Sequence, residues 1–265
     1  MLTGSVGPTS VSDNEAYPAL CLRASRDERV FAGFRSNPAY NAILEHVGQE
    51  QGREYLRILS ADADLVQAMP RLRRNDDFGG PATYEYPGVG SMSPTTLRYI
   101  KVLADLKALF ASLDGLEICE IGVGYGGQCR IINACFKPAS YCLVDIAPAL
   151  ALARRFLDRF DLPPALSYRT MDELTARDHD LVISNYAFTE LPRQIQDEYL
   201  EKVVLRSSRG YITYNEITPA EFNSYKAEEL LRIIPGARSI EERPLTHPLN
   251  RIIVWGDPRQ AEVRR

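Results

Sequence analysis

Several features are scarce in this chain of 265 residues, and each scarcity narrows its task. No basic run stands out, and a net charge of −4 with a pI near 5.6 argues against holding a polyanion as the main function, so no nucleic-acid partner is expected. No uncharged stretch approaches the roughly 18 residues of a membrane span. The amino terminus lacks the basic and apolar regions of a secretion signal, so a cytoplasmic protein without a membrane anchor is expected. The five cysteines (Cys21, Cys119, Cys129, Cys135 and Cys142) are odd in number and form no C-x-x-C pair, which reads as free thiols in a reducing compartment. No internal repeat is present. The length suits one sizeable α/β domain with an extra segment rather than two independent catalytic domains.

What the chain does contain is organised around Leu116 to Gln128, LEICEIGVGYGGQ. The apolar run from Leu116 to Ile121 suits a buried strand of a parallel sheet. Gly122, Gly124 and Gly126 let the backbone turn with positive φ and leave no side chain between it and a ligand. The apolar face of Gln128 to Phe136 then predicts a helix whose amino end points at that ligand. Glycine spacing alone does not choose the ligand, because Gly122, Gly124 and Gly127 also satisfy the G-x-G-x-x-G of dinucleotide sites. Glu120, two residues before the first glycine, discriminates: a carboxylate there is awkward for a pyrophosphate and suits a cationic amine. S-adenosylmethionine, with an amino-acid head and no phosphate, is the ligand that pattern favours. A second apolar strand, Ser140 to Val144, ends at Asp145, about 20 residues past Gly122, where a nucleotide-binding unit grips ribose hydroxyls. Capping the helix opened by Pro148 is the other reading of Asp145.

Along the chain, residues 1–14 are small and polar and read as unstructured. Glu15 to Met69 has helical spacing and needs a partner surface: a cap on the main domain, a substrate lid or a homodimer face all remain open. Residues 1–94 are thus read as a helical cap ending in the loop Arg71 to Pro94, and residues 95–265 as the ligand-binding domain. Thr95 to Leu113 is a helix ahead of the glycine turn. Tyr84, Tyr86 and Arg98 are candidates for contacts with a ligand, Arg98 suiting a methionine carboxylate, and each is equally compatible with packing. Further strands are expected at 165–168, 180–184 and 210–215, with helices at 148–160, 192–205 and 219–234. Arg238 to Glu242 and Arg251 to Trp255 are expected as two strands joined by 243–250. Met171 and Asp172, just after the third strand, are placed to grip an adenine, although Asp172 also suits a cap. The loop after the fourth strand, Asn185 to Pro192, is where chemistry is expected.

Taken together, Glu120 to Gly126, Asp145 and the strand end Asp180 to Asn185 resemble class I S-adenosylmethionine-dependent methyltransferases. The phrases LRYIKVLADL, EIGVGYGGQ, SNYAFTEL with QIQDEYLEKVV, and RIIVWG look more narrowly like bacterial sugar O-methyltransferases of glycan biosynthesis. The resemblance implies an α/β fold with a Rossmann-like, doubly wound seven-stranded methyltransferase sheet and an α-helical amino-terminal extension. It also implies a sugar or oligosaccharide hydroxyl as acceptor, and cofactor contacts from Glu120, Gly122, Gly124, Tyr125, Gly126, Asp145 and Asn185. A sugar hydroxyl is a poor nucleophile and needs a base or a metal. His247 is the expected base, because it titrates near neutrality, with Glu190 and Tyr186 positioning the acceptor; Glu190 also suits a cap on the helix behind Pro192. Asn185, Glu190, Asn215 and Glu216 carry oxygens that suit magnesium, but no paired D-D-N arrangement is present and no metal is expected. A phenolic or polyketide hydroxyl is the alternative acceptor, and a nicotinamide oxidoreductase the alternative activity.

Overall fold

The computed structural model describes residues 15–162 and 165–256; the expected unstructured leader, residues 1–14, lies outside the described residues. The front segment is helical, as its spacing predicts, but it is cut into short pieces: α1 (Ala16–Arg26), α2 (Glu28–Phe31), α3 (Pro38–Tyr40), a π-helical stretch Asn41–Glu45, α4 (Gln49–Leu59) and α5 (Ala63–Leu72). Three of these begin where a short polar side chain accepts an otherwise unpaired N–H: Asp27 from Arg29, Asn37 from Ala39 and Asp62 from Leu65. The expected loop 71–94 holds a small antiparallel hairpin, β1 (Tyr84–Tyr86) and β2 (Gly90–Met92), turning through Pro87 and Gly88. Three-residue strands are too short for alternation to announce them.

The helix α6 (Pro94–Phe110) starts with the Ser93 hydroxyl accepting the Thr96 N–H at 3.1 Å. After it come β3 (Glu117–Ile121), α7 (Gly127–Cys135), β4 (Ser140–Val144), α8 (Ala147–Leu157), β5 (Leu166–Arg169), β6 (His179–Asn185), α9 (Arg193–Lys202), β7 (Ser207–Tyr214), α10 (Ala227–Ile233), β8 (Arg238–Glu241) and β9 (Arg251–Trp255). The sheet has seven strands in the order β5-β4-β3-β6-β7-β9-β8, Rossmann-like and doubly wound, with only β9 antiparallel to its neighbours. The strand order reverses between β3 and β6, and a crevice for a ligand opens at the carboxyl ends of strands on either side of such a reversal. The expected helix 219–234 is shortened to α10. Asn223 takes a left-handed conformation (φ 47°), and the Tyr225 N–H is taken by the Gln196 side chain at 2.8 Å.

Helices α9 and α10 cover one face of the sheet, and α6, α7 and α8 the other. Beyond the second group the front helices join the same core: Phe34, Tyr40, Tyr125 and Phe156 are fully buried, and the Tyr125 and Phe156 rings meet edge to face at 4.7 Å. Two arginines lock this layer. Arg35, fully buried, donates to Glu45 at 2.6 Å, to Asp76 and to Ser93, and stacks on the Tyr125 ring. Arg130 of α7 donates to the Leu72 carbonyl at 2.9 Å and to that of Arg71, satisfying the carboxyl end of α5. Among the described residues no helix is long and apolar enough to cross a membrane.

Candidate active site

The turn after β3 is built as its glycines demand. Gly122, Gly124 and Gly126 have φ of 78°, 54° and 84°, and a Cβ on Gly122 would stand 2.0 Å from that of Ala187. Asp145, at the end of β4, does not cap α8: its carboxylate accepts the Gly124 N–H at 2.9 Å and its own neighbour Ile146 at 2.7 Å, which ties the turn to the second strand. Burial lifts the Asp145 pKa to about 6 against the lowering effect of those N–H bonds.

Glu120 is 2% exposed and accepts the Tyr141 hydroxyl at 2.6 Å. Burial raises its pKa to about 8; the Tyr141 bond opposes the shift and the nearby Asp145 charge adds to it. Without a ligand Glu120 is mostly protonated at neutral pH and does not itself repel a diphosphate; an arriving ammonium would draw the charged form out.

Around this cradle the structure collects residues from distant parts of the chain. Leu44 packs over Gly124, and its carbonyl accepts Arg98 Nη2 at 3.0 Å. The Arg98 guanidinium lies 5.9 Å from the centre of the Tyr186 ring. Beside it is a narrow cleft of about 20 Å³, room for about one water, walled by Tyr55, Arg98, Asn185, Tyr186, Thr213 and Glu242 among others. Tyr186 opens the loop after β6 with a φ of 69°, a strained value for a non-glycine residue. Its N–H donates to Thr213 and its carbonyl accepts from Thr189, so the backbone is held on both sides. The Tyr186 hydroxyl donates to Glu242, whose carboxylate also accepts Thr246 N–H at 2.9 Å and Thr246 Oγ1 at 2.6 Å. Burial first, then the Glu242 charge, push the Tyr186 pKa up.

Several expected residues sit elsewhere. His247 is exposed and outside this pocket, its Nδ1 accepting the Leu249 N–H; Glu242 pins Thr246 inward and turns the next residue out to solvent. Glu190 is half-buried and accepts Asn215 Nδ2 at 2.6 Å, with burial raising its pKa against that bond. Of the other oxygens considered for magnesium, Glu216 pairs with Lys226, and no cluster of three His, Cys, Asp or Glu side chains suited to a metal occurs among the described residues. Tyr125 is fully buried, its hydroxyl accepting Asn75 Nδ2 at 3.0 Å, so its side chain packs the turn from behind. Tyr86 covers Gly52 and reaches the Gln49 carbonyl, and it packs α4. Met171 and Asp172 form a 3₁₀ turn after β5, half-buried and exposed respectively, at the same sheet end as Asp145. Glu242 is the residue that sequence reasoning missed.

Buried polar atoms without a partner among the described residues include Asn185 Nδ2, at the end of β6, Gln128 Oε1, just after the glycine turn, and the Tyr40 hydroxyl, 3.5 Å from where a Cβ on Gly124 would stand. With the glycine turn, Asp145 and Glu120, these unspent polar atoms fit a small ligand carrying an amine and several oxygens.

No protein-family model matches the chain, and no curated protein matches its sequence. Similar solved structures include magnesium protoporphyrin IX methyltransferase from Synechocystis PCC 6803 with bound SAH (12% identity, TM-score 0.46, 73% of this chain and 94% of that one). Another is a SAM-dependent methyltransferase from Aquifex aeolicus (16%, 0.41, 58% and 87%). A third is a candidate sarcosine dimethylglycine methyltransferase from Galdieria sulphuraria (17%, 0.44, 56% and 64%), of whose length the match spans less than two thirds.

Proposed function

We propose that this protein is an S-adenosylmethionine-dependent O-methyltransferase acting on a hydroxyl of a sugar or oligosaccharide. The observation that carries the reading is the cradle at the strand reversal: positive-φ glycines, Asp145 bonded to the Gly124 N–H, and a buried carboxyl at Glu120. The bound cofactor supplies an electrophilic methyl group on a sulfonium. Glu120 accepts the ammonium of its amino-acid head, Arg98 its carboxylate, Asp145 the ribose hydroxyls and Asn185 Nδ2 a further oxygen, while Met171 and Asp172 flank the base.

The adjoining cleft, about 20 Å³ in the closed chain, would have to open to admit a sugar, and its walls then carry suitable groups. Faces of Tyr55 and Tyr186 suit the C–H surface of a pyranose, and Asn185, Thr213 and Glu242 suit its hydroxyls. Glu242 is the proton acceptor. Its carboxylate is held in place by the Tyr186 hydroxyl and two Thr246 donors, and its link to Tyr186 gives the acceptor hydroxyl a path: that hydroxyl passes its proton to the Tyr186 oxygen as Tyr186 releases its own to Glu242. With the cofactor bound, the acceptor oxygen would take its methyl group as the methyl–sulfur bond broke, the electron pair staying on sulfur.

Calorimetry with S-adenosylhomocysteine and with NADH is the first test. Methyl transfer from labelled S-adenosylmethionine to a panel of sugars, nucleotide sugars and phenols is the second. Heat with S-adenosylhomocysteine and label in a sugar fraction is the expected result; label confined to phenols moves the acceptor class, and heat with NADH alone overturns the reading.

A further inference from the structure

The front helices pack on α6, α7 and α8, but one of their side chains carries a group that packing does not use. Tyr40 closes α3, which the Asn37 side chain starts by accepting the Ala39 N–H at 3.0 Å. Its ring is fully buried, edge-on to Phe34 at 4.9 Å and beside Tyr17 at 5.5 Å and Tyr125 at 6.3 Å. A phenylalanine would make every one of these contacts. The hydroxyl, by contrast, has no partner among the described residues, and leaving a buried hydroxyl unpaired is unfavourable. It stands over the turn itself, 3.5 Å from where a Cβ on Gly124 would be, and the N–H of that glycine is the one held by Asp145.

Neighbouring groups share this placement. Four residues on, Leu44 covers the same glycine with its side chain, Cδ1 lying 2.8 Å from the position a Cβ would take, and its carbonyl holds Arg98. The stretch 40–44 therefore brings to one side of the turn an unspent hydroxyl donor, an apolar cover and the anchor of a half-buried cation. The unpaired Asn185 Nδ2 is carried by the strand end on the far side of the reversal.

We infer that Tyr40 is a cofactor-binding residue: its hydroxyl donates to an oxygen of the ligand held on the glycine turn, and the front segment is one wall of the cofactor site. The inference rests on the methyltransferase reading. It adds that the residues specifying the cofactor are not confined to the sheet, and that a ligand entering over Gly124 displaces Leu44 and is then held by the segment that closes on it.

Calorimetry with S-adenosylhomocysteine on the full chain and on Tyr40→Phe tests this, with melting of both ligand-free proteins alongside. Tyr40→Phe is expected to bind about three- to tenfold more weakly, the worth of one hydrogen bond, and to melt unliganded at or above the wild-type temperature. Amide exchange in residues 38–47 is expected to slow when S-adenosylhomocysteine is added to the wild type. Equal affinity in the two proteins overturns the role of Tyr40 and leaves the methyltransferase reading standing. So does a weaker affinity accompanied by a lower unliganded melting temperature, which marks the hydroxyl as structural. Failure of the wild type to bind S-adenosylhomocysteine at all overturns the methyltransferase reading itself.

Discussion

Replacing Glu120 by glutamine separates the charge of this residue from its shape. The glutamine carbonyl still accepts the Tyr141 hydroxyl, but no proton is gained or lost. In the folded chain the Glu120 pKa is raised from 4.5 to about 8, chiefly by burial. A raised folded pKa means that the folded state holds the proton more tightly than the unfolded one. Its stabilising effect is complete below pH 4.5 and is lost as the pH rises through about 8. Converted at 1.36 kcal/mol per pH unit, the loss is on the order of 4–5 kcal/mol for the wild type and absent in the variant. Urea denaturation from pH 5 to pH 9 reads the difference, and taking wild type minus variant removes the separate titration of Asp145, which finishes lower. The ligand arm carries the functional content. An ammonium docking on Glu120 expels the proton held there, so at pH 7 S-adenosylhomocysteine should release roughly 0.9 proton per site, measured from binding heats in buffers of different ionisation enthalpy. A diphosphate would instead strengthen the proton's hold and release none. Parallel stability curves for the two proteins, or binding of S-adenosylhomocysteine without proton release, would refute the assignment of Glu120 as the ammonium acceptor.

Three further outcomes are expected. Gly122→Ala forces a side chain into a φ of 78° and toward Ala187, so it should cost about 1–3 kcal/mol of stability and weaken S-adenosylhomocysteine, read by melting and calorimetry. Arg35→Met leaves Glu45 and Asp76 buried without their cation and should cost roughly 3–5 kcal/mol in urea denaturation. With an acceptor in hand, Glu242→Gln should lower kcat by about 10²–10⁴-fold with S-adenosylhomocysteine affinity unchanged, whereas His247→Ala should alter neither; the reverse pattern would return the base to His247.

What the sequence disclosed and what it hid divide along one physical line. The strand, turn and helix around Glu120, and the second carboxylate at Asp145, were legible because each constraint acts within a few residues: glycines where φ is positive, an apolar run where both faces of a strand are covered, an acid at a strand end. The closing hairpin was legible for the same reason. The base was not. Glu242 stands in Glu241-Glu242-Arg243, which reads as a solvated charged stretch, and one of the pair is exposed; only the approach of Tyr186, more than fifty residues earlier, separates the buried carboxylate from its neighbour. Arg35 was hidden likewise, since its counter-charges come from Glu45 and from Asp76 across a change of secondary structure. The role of Tyr40 could not be read from periodicity either, because an aromatic at helical spacing announces burial and says nothing about what its hydroxyl lacks. Local rules thus recover the half of the site that repeats in every nucleotide-binding turn. The half contributed by the front helices and the last loop depends on contacts between distant segments, and the same segments wall the cleft proposed for the acceptor. On the proposed reading, acceptor choice is governed by the part of the chain whose chemistry is least visible in sequence, and substitutions at Tyr55 and Pro244, rather than in the glycine turn or at the proposed base, are where a change of acceptor should arise.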